Sequence, residues 1–447
     1  MNARQLAACA ARLQEFLTAM LAGVGRAERR HHGSLYVQGL LLDGERKSIE
    51  PLAGRVPGGN VQALQQFVGQ SPWAWEPVRR LLAQRMEAEL LPAAAWIIDD
   101  TGFPKQGRHS VGVARQYAGT LGKVGNCQVA VIVHLSTEAE SLPLDWALYL
   151  PQAWTADAAR GRQVGVPAQT PFRTKPELAL ELLDHLWAWG LSRQPVLADA
   201  GYGNSTEFRH GLVRRGLQYL VGVESHTTVW DKPTQRVQPR RPTGRGRPRR
   251  PYYRGQPLAV RDLAAALPPQ AWHTITWRPG TQGPQRSRFT ACRVQPAHGH
   301  AHGQPELEPV WLLIEWPAEV KAPTKYWCSN LPEGVARRRL VQLAQLRWRV
   351  AQNYQQLKEE LGLDHYEGRG WPGWHHHVTL VCLAYAFLLL ERRRLKKNSS
   401  GDFACSTAMS ANGADSHVRR VPDLPPSGRQ RPMTITQRSS TSCIPEC

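Results

Sequence analysis

Apolar residues near the start of the chain recur at helical spacing. Leu6, Leu13, Leu17, Leu21 and Val24 fall on one face, which predicts an amphipathic helix over residues 4–24 that ends near Gly25. Residues 60–69 and 72–86 repeat the period, with Ser71 and Pro72 where the later helix would take its N-cap and first turn. Residues 1–90 therefore read as a helical unit. Its basic turn (Arg26, Arg29, Arg30, His31, His32) favours a DNA-end-binding role over packing alone.

From residue 94 the period shortens. Residues 94–98 are β-branched and aromatic and stop at Asp99 and Asp100, with Gly102 and Pro104 just beyond. Residues 195–199 repeat the device: a short apolar run ends at Asp199 and a Gly-bearing turn follows. Between them, 110–120, 126–135 and 142–150 are strand-like and predict an antiparallel meander after the first strand. Residues 175–189 predict a helix bounded by Thr174, Pro176 and Gly190; a helix over 205–215 and a strand over 218–223 complete a mixed α/β core. Two strands that each end in a carboxylate suit a Mg²⁺ or Mn²⁺ site at the rim of a sheet. The alternative is that these aspartates only make turns.

Beyond residue 224 the chain changes character. Residues 231–256 are a basic loop dense in Arg, Pro and Gly, in which Arg245-Gly246-Arg247-Pro248 resembles an AT-hook core and otherwise suits general phosphate contact. Strand-like runs at 272–277, 287–294, 310–316 and 325–329 make this a β-rich insertion, and His298, His300 and His302 alternate in one of its loops. Residues 332–361 predict one long helix with a leucine face, ended by Gly362, and 375–397 a final helix opened by His375, His376 and His377, which suit loop packing or phosphate contact. Hydrophobic periodicity then stops, and 398–447 read as a disordered tail. The expected units are 1–90, 91–223, 224–331, 332–397 and 398–447.

Charge sharpens the choice of partner. Lys and Arg number 56 against 36 Asp and Glu, a formal charge of +20, which favours nucleic acid. The eight cysteines show no CxxC pairing, which suits a reducing cytosol. Arg12, Gln14 and Glu15 interrupt any secretory signal, and the most apolar run, 378–390, is too short to span a bilayer. A soluble cytoplasmic protein with no membrane partner is expected.

Four blocks, WIIDDTGFPKQGRHSVGVARQY, SLPLDWALYLPQAW, VLADAGYG and RWRVAQNYQQLKEELGLDHYEGRGWPGWHHH, occur in an order that resembles the DDE-superfamily transposases of bacterial insertion sequences, the insertion sequence 701 group most closely. The resemblance spans roughly residues 15–397. It implies an RNase H-like catalytic core with a β-rich insertion, a helical N-terminal domain, and double-stranded DNA as partner: inverted-repeat ends and target, held by a homodimer at the bacterial nucleoid. It also implies metal-dependent cleavage and strand transfer with two Mg²⁺ or Mn²⁺ ions. On matching positions Asp100 is the first carboxylate, with Asp99 as the alternative, and Asp199 the second.

The third position departs from the pattern. Arg347 and Lys358 match the late helix, but Ala351 stands where the family carries Glu, and Ala344 where some relatives carry Tyr. On a straight helix Glu359 and Glu360 would lie about 12 Å from Ala351, too far to share its ion. Glu367 belongs to the following loop and is the remaining candidate for a replacement. Lys105, Arg245, Arg247, Arg347, Lys358 and Arg369 are the expected phosphate contacts. DNA binding should therefore outlast catalysis, and the end of the resemblance at Lys397 suits a decayed copy. A non-catalytic binding remnant or regulator and a nuclease without strand transfer are the competing readings.

Overall fold

The computed structural model describes residues 3–231, 236–237, 252–253, 255–278, 283–297 and 308–409. The N-terminal segment contains five helices: α1 (Ala3–Met20), α2 (Ala27–Leu41), α3 (Ile49–Arg55), α4 (Val61–Gly69) and α5 (Glu76–Leu90). The periodicity predicts α1, α4 and α5 but not α2 and α3. α2 escapes because its second half is buried nearly all round, with Leu35, Tyr36, Val37, Gly39 and Leu40 inside, while its first turns are polar and exposed. A Cβ on Gly39 would lie 2.4 Å from Leu52 Cγ, so only glycine lets α3 pack this closely.

α5 starts at Glu76, with Pro77 in its first turn, and not at Pro72. The preceding segment is taken up by packing: the Trp73 indole donates to the Phe67 carbonyl at 3.3 Å and stacks on His376 at 3.9 Å between centroids.

Among the described residues fourteen strands follow in chain order: β1 (Ala95–Pro104), β2 (Ala114–Ala118), β3 (Lys123–Ser136), β4 (Ser141–Leu148), β5 (Val196–Ala198), β6 (Tyr219–Val223), β7 (Thr228–Trp230), β8 (Arg236–Val237), β9 (Tyr252–Tyr253), β10 (Leu258–Ala259), β11 (His273–Arg278), β12 (Gln285–Pro296), β13 (Val310–Trp316) and β14 (Lys325–Ser329). Among the described residues twelve form one mixed sheet, and β8 pairs with β9 apart from it.

β3 is the hub, where the sequence predicts a simple meander. β1 lies antiparallel along one edge of β3, while β2 and β4 share the other. On its far side β1 is parallel to β5, which is parallel to β6. This is an RNase H-like arrangement. The sheet continues through β14, β13 and β12, so the strands of the expected insertion extend the core sheet edge to edge.

The core helices are α6 (Gln152–Thr155), α7 (Ala158–Gln163), α8 (Lys175–Ala188), α9 (Ala200–Gly203), α10 (Thr206–Arg214) and α11 (Val260–Ala266). Thr174 caps α8 as expected, in a reciprocal box with Glu177. The long helix expected over 332–361 is broken. α12 (Arg337–Gln345) stops, Leu346 and Arg347 turn, α13 (Trp348–Gln355) restarts, and a π-helical turn, Gln356–Glu360, precedes Gly362 at φ +66°. The break turns Arg347 onto aspartates of the sheet.

α14 (Trp371–Met409) begins earlier than predicted and continues beyond Lys397, so residues 398–409 are helical where a disordered tail is expected; residues 410–447 lie outside the described residues. Its segment Trp371–Lys396 is long and apolar enough to cross a membrane, unlike the short run expected, but 89% of its apolar window is buried in the protein, as in a core helix. His375, His376 and His377 are buried inside it, which excludes the phosphate-contact alternative and leaves packing. The ring nitrogens of His376 face the Val68 and Trp73 carbonyls at 2.8 and 3.0 Å. His298, His300 and His302 lie outside the described residues.

Candidate active site

Register brings the aspartates together. Trp96 pairs with Val196 and Ile97 with Leu197 in the parallel β1–β5 ladder, so continuing that register sets Asp99 beside Asp199. β5 ends at Ala198, whereas β1 runs on against β3 as far as Pro104. The two aspartates of β1 are therefore in mid-strand, not at a strand end as the sequence suggests. What they share with a strand end is the absence of β5 alongside.

Past β5 the chain turns sharply into α9. Asp199 Oδ1 accepts from the Gly201 N–H at 2.9 Å. A Cβ on Gly203 would lie 1.9 Å from the Gly222 carbonyl oxygen, so this turn requires glycine against β6.

Asp99, Asp100 and Asp199 line one open cavity of about 680 Å³ with Lys175, Tyr202, Ala351, Tyr354, Lys358 and Glu359. Each aspartate is held by a cation. Arg347 Nη2 donates to Asp99 Oδ1 at 2.9 Å and lies 3.5 Å from Asp199 Oδ2. Lys175 Nζ donates to Asp100 Oδ2 at 2.7 Å. Burial pushes the Asp99 pKa up to about 6; Arg347 opposes the shift, and Asp199 and Asp100 add to it. Burial, followed by the three aspartates, also raises Tyr202 well above the usual phenol range, and its buried hydroxyl has no hydrogen-bond partner among the described residues.

The sequence-derived residues divide unevenly. Ala351 is in the cavity and offers a methyl group there. Lys358 also lines it, but its Nζ donates to the Gly102 carbonyl at 2.8 Å and Thr120 Oγ1 at 3.0 Å. Lys105 Nζ is likewise spent on the Tyr366 carbonyl, and burial lowers the pKa of both lysines. Arg369 is exposed. Glu367 pairs with Arg46 at 2.6 Å and lines a different cavity, with Ser48 and His365. Arg245 and Arg247 lie outside the described residues.

Glu359 shares the cavity with Ala351 although two turns separate them, and Gln355 Nε2 donates to it at 3.1 Å. Lys175 and Tyr354 are site residues that sequence reasoning missed. The only signals were a lysine just after the α8 cap and an aromatic three residues beyond Ala351.

A divalent ion needs hard oxygen donors that converge on a point. Among the described residues no group of three or more His, Cys, Asp or Glu side chains is placed to hold one. With Arg347 and Lys175 on the aspartates and a methyl at Ala351, the donors present do not fit a pair of ions.

Residues 19–284 match the DDE superfamily endonuclease family, more than half of the chain. A relative, the probable transposase for insertion sequence element IS701 of Microchaete diplosiphon, is 34% identical over 202 residues, 45% of this chain and 50% of the relative. The chain thus spans about half the length of the curated relative it matches. With the sheet order and the aspartates on β1 and after β5, this chain belongs to the DDE superfamily endonucleases.

Proposed function

We propose that the chain binds the inverted-repeat ends of an insertion sequence as a transposase by descent, and that it has lost most of its capacity to cut and join them. The observation that carries this reading is the cavity itself, where Asp99, Asp100 and Asp199 face Ala351. Endonucleases of this superfamily are divalent-metal dependent. Such ions polarise a phosphodiester and activate the attacking oxygen. A methyl group supplies neither charge nor a donor for them.

What remains is electrostatic. Arg347 is shared between Asp99 and Asp199, and Lys175 pairs with Asp100, so two cations offset part of the aspartates' charge and the cavity repels a phosphate less than three bare carboxylates would. Arg369 is free to reach solvent, and Arg245 and Arg247 are assigned to the DNA backbone on sequence grounds. Phosphate contacts need no metal. Paired ends call for a dimer, working at the bacterial nucleoid in the cytoplasm.

A second reading, a non-catalytic remnant that occupies ends and regulates an active relative, is favoured by the same Ala351. The test is a gel-shift and nicking assay on labelled end DNA with Mg²⁺ or Mn²⁺. Retention without nicking is expected; nicking that depends on Asp100 (or its neighbour Asp99) and Asp199 would contradict the proposal.

A further inference from the structure

The break between α12 and α13 faces two ways. Arg347 goes to the aspartates, and Trp348, the next residue, goes to a separate cleft of about 240 Å³. Arg278, from the end of β11, places its guanidinium carbon 3.7 Å from the Trp348 ring centroid, and Arg349 places its own at 4.3 Å. Arg339, Glu138, Gln342 and Gln345 also line it.

Three guanidinium groups thus converge with one carboxylate. Arg349 donates to the Glu138 backbone carbonyl, and Arg339 Nη2 to the Ala94 carbonyl at 3.3 Å. Neither bond neutralises charge. Glu140, whose charge acts on Arg349, is also bonded by Arg393 at 2.8 Å. Burial and the charge of Arg278 both lower the Arg349 pKa, as expected of like charges held close. The shared indole holds two guanidinium groups close together, and their donors suit a phosphodiester.

We propose that this cleft, formed by Arg278, Arg339 and Arg349 around Trp348, is a second DNA-backbone site, which seats the strand flanking the phosphate at the carboxylate cavity. It rests on the DNA-binding reading above. Arg347 and Trp348 are adjacent in sequence, so the cavity and the cleft lie on two sides of one turn, and a strand that bends around it can meet both.

The test uses the full chain and a labelled random-sequence duplex, with affinity measured by anisotropy across a KCl series. Arg278→Gln with Arg349→Gln should lower the slope of log affinity against log salt by about 1.8, and affinity by about eightfold per lost contact near 0.1 M salt. Gln342→Glu, which adds a negative charge to the cleft and removes no observed contact, should weaken binding in the same direction without unfolding the chain. Wild-type binding with unchanged slope and affinity in both variants overturns the cleft and spares the DNA-binding reading. Absence of any duplex binding by the wild type overturns both. Thermal stabilisation by inorganic phosphate alone, abolished in the double variant while duplex binding persists, makes the cleft a free-anion pocket and overturns the DNA assignment.

Discussion

Arg347 Nη2 meets Asp99 Oδ1 at 2.9 Å, and this bond joins the turn between α12 and α13 to β1 of the sheet. Arg347→Ala should leave Asp99 and Asp199 facing each other without their shared cation. Both members of the bond are part-exposed, so a loss of about 1–2 kcal/mol is expected. The urea midpoint measures it.

Asp99 gives the cavity a pH response. Its folded pKa, about 6, lies above the usual carboxylate value, so the folded state binds the proton more tightly. Stability from this group therefore rises as pH falls through about 6 toward the unfolded value. Protonation also removes a negative charge from the site. Duplex affinity measured from pH 8 to pH 5 should rise more in the wild type than in Asp99→Asn.

Lys358 separates the structural reading from the sequence-based one. Because Nζ donates to Gly102 and Thr120, Lys358→Met should cost roughly 1–3 kcal/mol of stability. The salt slope of DNA binding should stay unchanged. A slope that falls by about 0.9 with stability intact would restore the phosphate contact expected from sequence.

Arg79 on α5 donates to Asp145 on β4 at 2.5 Å, with both side chains buried, and this ties the N-terminal helices to the sheet. Asp145→Ala leaves a buried guanidinium uncompensated and should cost about 3–5 kcal/mol, read as a lower thermal midpoint. His185 also bonds Asp145, which raises its pKa. Its folded value lies above its unfolded one, so its stabilisation is complete below the unfolded pKa and is lost as pH rises through the folded one. His185→Gln should flatten that decline.

Legibility of the fold followed local chemistry. β13 and β14 were plain from compact apolar runs, and α8 from Thr174, Pro176 and Gly190. α2 was not, because its first turns are polar and exposed while residues 33–40 are buried on nearly every side, so no apolar stripe runs its length to set a period. The α12–α13 break was hidden because the leucine spacing runs straight through it: Leu346 and Arg347 keep helical dihedrals and the turn is only tightened, while the bond from Arg347 to Asp99 is a long-range contact that no local spacing announces. In the site, the three aspartates and Ala351 were legible as residues, and the cavity gathers them. The cations on them were not, since Lys175 meets Asp100 only after the chain folds.

The most direct measurement sets the protein as written against Ala351→Glu on end-labelled DNA carrying the element's inverted repeats, with Mg²⁺ or Mn²⁺, scored for binding and nicking in the same samples. The expected result is that both proteins bind and only the Ala351→Glu variant nicks. Equal nicking by both would contradict the claim that Ala351 disables the site.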